Sequence, residues 1–200
     1  IKYTTEMFPA DKEVLCRMVS KPEFDRIVRL LSEQKGEVVY GGTFDADSLH
    51  VFPTVVRCKL DDPALMKEEI FGPILPIVAV SGSGEAVAHI NSQHHSLSMY
   101  VFTSSDEERD HFVNHTRNGG VTINATLFHA SHQELPFGGV GRSGAGAYHG
   151  KHSIEAFTHA KPVLDRHVWK DGGLISDPFF LYPPWTDFKV SVIRKILPFM

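Results

Sequence analysis

Two cysteines are the first residues in this sequence that could carry out chemistry, because a thiolate is a strong nucleophile. Cys58 lies between Arg57 and Lys59, and neighbouring positive charge favours the thiolate form. It stands at the end of a predicted strand, however, with no histidine next to it in the sequence. Cys16 lies in the apolar stretch EVLCRMV, where a thiol packs as a small apolar side chain. We therefore expect both cysteines to be structural rather than catalytic.

Histidines are the second set of candidates, since the sequence contains twelve of them. His111 and His115 are four residues apart in a predicted helix, a spacing that can hold a zinc ion. The H-E-x-x-H motif is absent there, because Phe112 stands at the position of the glutamate. His149 and His152 form another close pair, but no CxxC motif accompanies either pair. The sequence therefore predicts no metal site.

A pair of carboxylates, Glu68 and Glu69, stands just before Gly72-Pro73. Two carboxylates on a turn could bind the hydroxyl groups of a ribose or act as a general base. The alternative is a solvated acidic turn, and spacing alone favours this second interpretation.

Glycine is densest in Leu135–Gly150, where six of sixteen residues are glycine. Such a segment is costly in chain entropy, so it indicates a backbone that turns tightly or passes close to another group. Its Gly139–Gly144 portion fits the G-x-G-x-x-G pattern of dinucleotide sites. That pattern requires a preceding strand and an acidic residue about 20 positions later. Here Pro136-Phe137 precedes it and Glu155 comes too early, so we do not expect this loop to bind phosphate groups.

The bulk composition is that of a globular protein, with 42% hydrophobic and 22% charged residues in a chain of 200. This length suits one domain or part of a larger one. A net charge of −4 gives no basic field that would indicate nucleic-acid binding. Two cysteines form no disulfide framework, which favours a reducing compartment. The longest apolar runs are much shorter than the roughly 20 residues of a membrane span.

The order of predicted elements indicates the fold class. Ser20–Gln34 is the clearest predicted helix, since Ser20 and Glu23 form a capping box. Further along, strands alternate with helices, which predicts an α/β domain with a mainly parallel sheet. The continuous apolar run Ile74–Val80 predicts a buried strand. Near the end, Ser153–Lys161 alternates roughly like a strand, and Thr186–Leu197 predicts a basic amphipathic helix.

Several sequence motifs, which follow one another along the chain, resemble those of a known family. Glu68–Pro73 (EEIFGP) resembles a motif of aldehyde dehydrogenases, and Pro136–Gly146 resembles the PFGGxxxSGxG motif of the same family. The extension Ala147–Leu164 resembles the class 3 branch, which includes fatty and aromatic aldehyde dehydrogenases. The resemblance runs from about Ile1 to Pro184 and includes LSMYVF, GGVTIN and the Tyr-Pro-Pro that begins at Tyr182.

The resemblance implies a fold and a domain organisation. Residues 1–154 would be the C-terminal part of an aldehyde dehydrogenase catalytic domain, with a mainly parallel sheet and flanking helices. Residues 155–166 would form a bridging strand, of which Glu155–Lys161 reaches a partner subunit and makes a homodimer. Residues 167–200 would form a C-terminal tail with an amphipathic helix.

The resemblance also implies roles for single residues. Glu69 would accept hydrogen bonds from the ribose hydroxyls on the nicotinamide side of NAD or NADP, and Phe71 would pack near the nicotinamide. The resemblance therefore favours a ribose-binding role for this acidic turn over the interpretation of a merely solvated turn. Phe137, His129 and Asn124 would line the funnel through which an aldehyde substrate enters.

Intact members of the family oxidise an aldehyde to a carboxylic acid through a cysteine thioester, which water activated by a glutamate then hydrolyses. This sequence contains no GQxC, ELGGK or glycine-rich cofactor-domain motif, and neither Cys16 nor Cys58 matches a catalytic position. We therefore expect the nucleophile and the catalytic base to lie outside these residues. The start at Ile1 rather than at a methionine favours a fragment, and the missing nucleophile leads us to expect that the fragment is inactive alone.

Two alternatives to the enzyme fragment remain open. The chain could be a truncated, non-catalytic partner that pairs with a full-length aldehyde dehydrogenase subunit. It could also bind a membrane surface through the basic segment Thr186–Met200. We expect a cytoplasmic location, with peripheral attachment to an intracellular membrane as the alternative.

Overall fold

A computed structural model of the chain describes residues 1–8, 15–164 and 182–196. The chain divides into two compact units, Ile1–Phe157 and Thr158–Met200. The elements of the first unit are, in chain order, α1 (Lys2–Met7), α2 (Lys21–Glu33), β1 (Glu37–Tyr40), β2 (Phe44–Asp45), β3 (His50–Val51), β4 (Thr54–Cys58), β5 (Ile74–Val78), α3 (Ser83–Ser92), β6 (Ser98–Val101), α4 (Asp106–His115), β7 (Gly120–Ile123), α5 (Phe128–Ser131) and α6 (Gly150–Phe157). The second unit contains α7 (Asp187–Ile196).

Helix α2 forms where the sequence predicts it. The hydroxyl of Ser20 accepts the backbone N–H of Glu23 at 3.5 Å, which satisfies one of the unpaired donors of the first turn. The apolar positions recur at helical spacing and bury one face, so Phe24, Ile27 and Leu30 are almost inaccessible to solvent. This buried face of α2 is part of the hydrophobic core of the larger unit.

The first sheet has the strand order β1-β4-β5. Strand β1 runs antiparallel to β4, whereas β4 and β5 are parallel over five residue pairs from Thr54↔Ile74 to Cys58↔Val78. Side chains of α2, β4 and β5 meet in one hydrophobic cluster, which also includes Ala64 and Leu65 from the turns after β4. Strands β2 and β3 form a separate antiparallel pair next to α2.

A second parallel pair, β6 and β7, lies further along the chain. Helices α3 and α4 contact each other, and α4 begins at an N-cap, where the Ser105 hydroxyl accepts a hydrogen bond from the N–H of Glu108 at 3.2 Å. The α/β class and the parallel strand pairings are therefore confirmed, with the strands of the described residues distributed over three small sheets.

The prediction of a fully buried strand at Ile74–Val80 is wrong. Strand β5 ends at Val78, and its side chains alternate between a buried and an exposed face. Ile74 is 7% exposed, whereas Leu75 and Ile77 are 58% and 48% exposed. The reason is that successive strand residues point to opposite faces, and only one face of this strand is covered within the described residues.

The predicted bridging strand over Glu155–Lys161 is also wrong for its first part. Residues up to Phe157 belong to helix α6, and Thr158–Leu164 belongs to no strand or helix of the described chain. Ile154 and Phe157 are three residues apart, a spacing that fits one face of a helix as well as a rough alternation. The helix is also supported by the His152–Glu155 pair, with Nδ1 and Oε2 3.6 Å apart.

Helix α7 confirms the predicted helix near the C-terminus, over Asp187–Ile196. The rest of the predicted tail, residues 167–181 and 197–200, lies outside the described residues. Within the described part of the chain, every helix is too short or too polar to cross a membrane.

Candidate functional site

The predicted cofactor residues lie on a tight turn that leads into β5. Phe71 has a φ of 45°, in the left-handed region that a bulky side chain rarely adopts. Gly72 follows it against α2, where an added Cβ would lie 2.5 Å from Cδ1 of Ile27. A side chain at this position would therefore force the buried Ile27 to shift, whereas glycine fits against the helix as it stands.

Two arginines of α2 contact this turn. The Arg26 guanidinium donates to the backbone carbonyl of Ile70 at 2.7 Å and to that of Glu69 at 3.5 Å. The same side chain donates to Glu23 at 2.9 Å, and Arg29 donates to the carboxylate of Glu68 at 3.1 Å. The first glutamate of the EEIFGP motif is thus engaged in ion pairs with the helix.

The carboxylate of Glu69 and the ring of Phe71 remain accessible to solvent. Phe71 is 76% exposed, and Glu69 is also exposed. Among the described residues, no hydrogen bond or ion pair involves the Glu69 carboxylate. Both residues border a shallow depression of about 510 Å³, together with Met18 and Val19. A carboxylate and an aromatic ring beside an open depression can bind a polyhydroxylated sugar and stack against a flat ring.

The second group of predicted residues centres on a buried histidine. His129 is 8% exposed, and both its ring nitrogens are engaged. Nε2 lies 3.0 Å from the hydroxyl of Ser98 on β6, and Nδ1 lies 2.8 Å from the hydroxyl of Thr122 on β7. Its ring also fills the space beside Gly120, where an added Cβ would lie 2.8 Å from the imidazole. His129 therefore connects α5 to both strands.

Phe137 lies against this histidine within a cluster of rings. The centroids of Phe137 and His129 are 5.6 Å apart, and Phe137 stacks on His149 at 6.0 Å. Tyr148 meets the edge of Phe137 at 5.8 Å. The backbones of Phe137 and Tyr148 also exchange two hydrogen bonds of 3.0 Å as an antiparallel bridge. This arrangement fixes Phe137, which is partly exposed.

The glycine-rich loop folds back on itself just after Phe137. An added Cβ at Gly138 would lie 2.0 Å from the carbonyl oxygen of Gly146, and one at Gly139 would lie 2.2 Å from that of Ser143. The G-x-G-x-x-G segment has no strand before it and forms a 3₁₀ turn at Gly141–Ser143. The expectation of close backbone approach in this loop is confirmed.

Asn124, the last predicted funnel residue, lies just after β7 with a φ of 55°. Its side-chain oxygen accepts the N–H of Thr103, and its side-chain nitrogen donates to the Thr103 carbonyl, each at 2.9 Å. Both ends of this carboxamide are therefore used within the protein. A role of Asn124 or of His129 in a substrate funnel remains a prediction.

The cysteines and the histidine pairs form no metal-binding cluster among the described residues. Cys58 is buried, which raises the pKa of its thiol, and nearby Asp62 raises it further. His111 and His115 lie 4.7 Å apart between ring centroids, but Nδ1 of His115 bonds the His111 carbonyl at 2.9 Å. Cys58 therefore lacks the environment of a reactive nucleophile. The expectation that Cys16 packs as a small apolar side chain is wrong, because its side chain is exposed.

The sequence predicts single residues of the turn and of the ring cluster, but not the side chains that hold them. Ser98 and Thr122 have no local pattern that predicts contact with His129, since they are 31 and 7 residues away. Arg26 is 44 residues from the carbonyl it binds. The helical periodicity of α2 alone could have placed Arg26 beside the buried Ile27, but not against the turn.

The comparison with known proteins identifies the class of protein that this fold and site belong to. The aldehyde dehydrogenase family model matches residues 8–163. The chain belongs to the aldehyde dehydrogenase family.

Named relatives confirm the likeness to the class 3 branch. The chain is 39% identical over 188 residues to aldehyde dehydrogenase family 3 member F1 of Arabidopsis thaliana, covering 93% of this chain and 38% of that protein. It is 40% identical over 168 residues to the dimeric NADP-preferring aldehyde dehydrogenase of Canis lupus familiaris, covering 84% and 36%. The chain thus spans less than half the length of these relatives.

Solved structures show the same fold. The substrate-bound state of Staphylococcus aureus AldH matches with a TM-score of 0.77 at 33% identity, covering 98% of this chain and 42% of that one. PnpE in complex with nicotinamide adenine dinucleotide matches with a TM-score of 0.66 at 29% identity, covering 72% and 30%.

Proposed function

We propose that this chain is part of an NAD(P)-dependent aldehyde dehydrogenase that oxidises an aldehyde to a carboxylic acid. The single observation that carries the proposal is the turn Glu69–Phe71, which presents an exposed ring and a carboxylate that no other described residue pairs with, on a backbone held by Arg26. Family membership supports the reaction class, and PnpE, a structural neighbour, is complexed with nicotinamide adenine dinucleotide.

The turn suits a nicotinamide cofactor on chemical grounds. The Glu69 carboxylate can accept hydrogen bonds from two adjacent ribose hydroxyls, and the Phe71 ring can pack against the nicotinamide side of the cofactor. When bound, NAD(P)⁺ supplies the oxidising power by accepting a hydride. In this proposal, these two residues bind and orient the cofactor and take no part in proton transfer.

Phe137 would form an apolar wall for the aldehyde. It is held by Tyr148 and His149 and lies on the buried His129. A fixed aromatic wall excludes water and orients an apolar substrate without bonding to it. The attacking cysteine, which forms the thioester, and the glutamate that activates water would be supplied from outside these 200 residues.

A chimera tests this function directly. In the Arabidopsis family 3 member F1 enzyme, the region that matches this chain is replaced by residues 1–200, and aldehyde-dependent NAD(P)H formation is followed. We expect the chimera to be active and the isolated chain to be inactive. A folded chimera without turnover would contradict the proposal, and robust turnover by the isolated chain would contradict the assignment of the nucleophile to a position outside it.

The second candidate, a non-catalytic partner, rests on the exposed segment Thr158–Leu164. Val163 and Leu164 are 79% and 88% exposed. A segment without helix or strand can add to the sheet edge of another subunit. We propose that Thr158–Leu164 pairs with a second subunit, as in a homodimer. Co-purification of the chain with the full-length Arabidopsis family 3 member F1 enzyme would support this pairing. A failure of the two chains to co-purify would count against the pairing.

We further propose a cytoplasmic protein that can attach to a membrane surface through α7. Phe188 is 66% exposed, and Arg194 and Lys195 lie in the last turn of this helix. Such a helix favours an anionic interface. Flotation with anionic liposomes should therefore be reduced by Phe188→Asp, and flotation that is unaffected would remove this role.

A further inference from the structure

Arg26 is the α2 side chain that bonds the backbone of the turn presenting Glu69 and Phe71 among the described residues, whereas Arg29 contacts only the Glu68 side chain of this turn. We propose that Arg26 is a positioning residue, which sets the backbone of this turn so that Glu69 and Phe71 meet the cofactor. The inference rests on the function proposed above. It adds a residue outside the EEIFGP motif to the cofactor site.

Arg26 bonds the backbone of the turn at two consecutive residues. Its guanidinium donates to the carbonyl of Ile70 at 2.7 Å and lies 3.5 Å from the carbonyl of Glu69. The planar fork of a guanidinium suits two neighbouring acceptors. The carbonyls of Glu69 and Ile70 belong to the peptide planes on either side of the Ile70 Cα. Holding both carbonyls therefore restrains the backbone dihedrals of Ile70 and the direction in which the next residue, Phe71, leaves the turn.

The turn needs such support because its backbone is strained. Phe71 adopts a φ of 45°, which costs free energy for a residue with a Cβ. The charged donor compensates by satisfying carbonyls that no strand pairs with, and a hydrogen bond to a charged group is stronger than a neutral one. The side chains of Glu69 and Phe71 stay exposed and available.

Arg26 is itself anchored. It neighbours Ile27, which is fully buried, and its Nε donates to the Glu23 carboxylate at 2.9 Å. Its side chain is 23% exposed, so water competes little for its donors. The guanidinium is therefore placed by the rigid face of α2.

Arg29 offers a matched control on the same helix. It pairs with the carboxylates of Glu33 at 2.9 Å and Glu68 at 3.1 Å, and its side chain is 47% exposed. Exposed ion pairs of this kind contribute little. Replacing Arg29 should leave the turn in place, although it removes the same charge from the same helix.

The first test measures amide hydrogen exchange in the 200-residue chain. We expect Arg26→Gln to accelerate exchange in the segment from Glu69 to Ile74, with the buried half of α2 unchanged. We expect the Arg29→Gln variant to show the same exchange rates in this segment as the parent. Equal exchange in the Arg26→Gln variant and the parent would overturn the inference, and so would acceleration throughout the chain, which would indicate a merely structural role.

The second test uses steady-state kinetics in the chimera with Arg26→Gln, Arg26→Lys and Arg29→Gln, with Glu69→Gln as the reference. We expect Arg26→Gln to raise the KM for NAD(P)⁺ by roughly tenfold or more with kcat little changed, because a charged hydrogen bond that shapes the binding site is lost. Arg26→Lys should recover part of this loss, and the KM of Arg29→Gln should stay within about twofold of the parent.

The outcomes separate the inference from the function on which it rests. A raised KM in Glu69→Gln with an unchanged KM in Arg26→Gln would overturn the role of Arg26 and leave the cofactor site standing. An unchanged KM in both variants, or an inactive chimera, would contradict the proposed function itself. A fall of kcat in proportion to the loss of folded Arg26→Gln protein would assign Arg26 to stability alone.

Discussion

Asn124 pairs with the backbone of Thr103 in the way that one strand residue pairs with another. Its side-chain oxygen accepts the Thr103 N–H, its side-chain nitrogen donates to the Thr103 carbonyl, and both distances are 2.9 Å. The backbone N–H of Asn124 also donates to Val101 at 2.8 Å. The side chain thus extends the β6–β7 pairing by one step, at the point where the left-handed φ of Asn124 turns the main chain away.

Replacing Asn124 should therefore affect stability. In Asn124→Asp, a carboxylate oxygen faces the Thr103 carbonyl, and we expect a loss of about 1–3 kcal/mol in the free energy of unfolding. Asn124→Gly keeps the left-handed backbone and loses only the two side-chain bonds, so a smaller loss is expected. Urea denaturation of the three proteins gives the comparison. Parent-like stability of the aspartate variant would show that the pairing contributes nothing.

His129 should stabilise the protein through its hydrogen bonds as well as its ring. His129→Phe keeps an aromatic ring next to Phe137 but leaves the hydroxyls of Ser98 and Thr122 without this partner, which should cost about 1–3 kcal/mol. Adding Ser98→Ala to this variant should recover part of the loss. The measurement is the free energy of unfolding of the single and double variants. His129→Phe without any loss would mean that ring packing alone positions α5.

Close backbone approach in the glycine loop predicts a steric effect. Gly138→Ala places a Cβ 2.0 Å from the Gly146 carbonyl oxygen, so we expect a loss of about 2–4 kcal/mol. Gly84 in α3 is the matched control, since nothing lies within 4 Å of a Cβ there. Gly84→Ala should be neutral or stabilising by up to about 1 kcal/mol. Thermal unfolding that ranks the two alanine variants equally would contradict the predicted steric clash.

Asp62 should give the fold part of its acid sensitivity. Burial acts to raise the pKa of this carboxyl, but N–H donors of Leu65, Lys35 and Ala64 outweigh burial, and the pKa lies below its usual range. A lowered native pKa means that ionised Asp62 stabilises the fold fully above its unfolded pKa of about 3.9. This stabilisation is lost as the pH falls through the lower native pKa.

We therefore expect Asp62→Asn to cost about 1.5–3 kcal/mol near neutral pH, and this difference should shrink below about pH 4. At the exposed neighbouring position, Asp61→Asn should change the free energy of unfolding by less than about 0.5 kcal/mol. Denaturation curves at several pH values test this. A difference between parent and Asp62→Asn that stays constant down to acid pH would contradict the role of the charge.

The parts of the fold that could be predicted from the sequence are those with local signals. Ser20 and Glu23 define the start of α2, because a cap needs only residues three positions apart. Short apolar segments are ambiguous, since the spacing of Ile154 and Phe157 fits both a strand and the helix that forms. The exposed face of β5 depends on what covers the sheet, which no local pattern records.

The candidate site, too, has residues that the sequence predicts and residues that it does not. Motif resemblance identified Glu69, Phe71 and Phe137, because these residues lie inside contiguous motifs. The partners that hold them come from distant elements, as Arg26 on α2 and Ser98 on β6 show. Such contacts follow from tertiary packing, which the spacing of residues in the sequence does not specify.

The most direct test of the cofactor site is the KM for NAD(P)⁺ of the chimera that carries Glu69→Gln. An amide keeps the size of the side chain but is a poorer acceptor for ribose hydroxyls than a carboxylate. We predict a KM for NAD(P)⁺ raised by roughly tenfold, with unfolding as in the parent chimera. A Glu69→Gln enzyme with the parent KM and the parent kcat would contradict the assignment of this turn to cofactor binding.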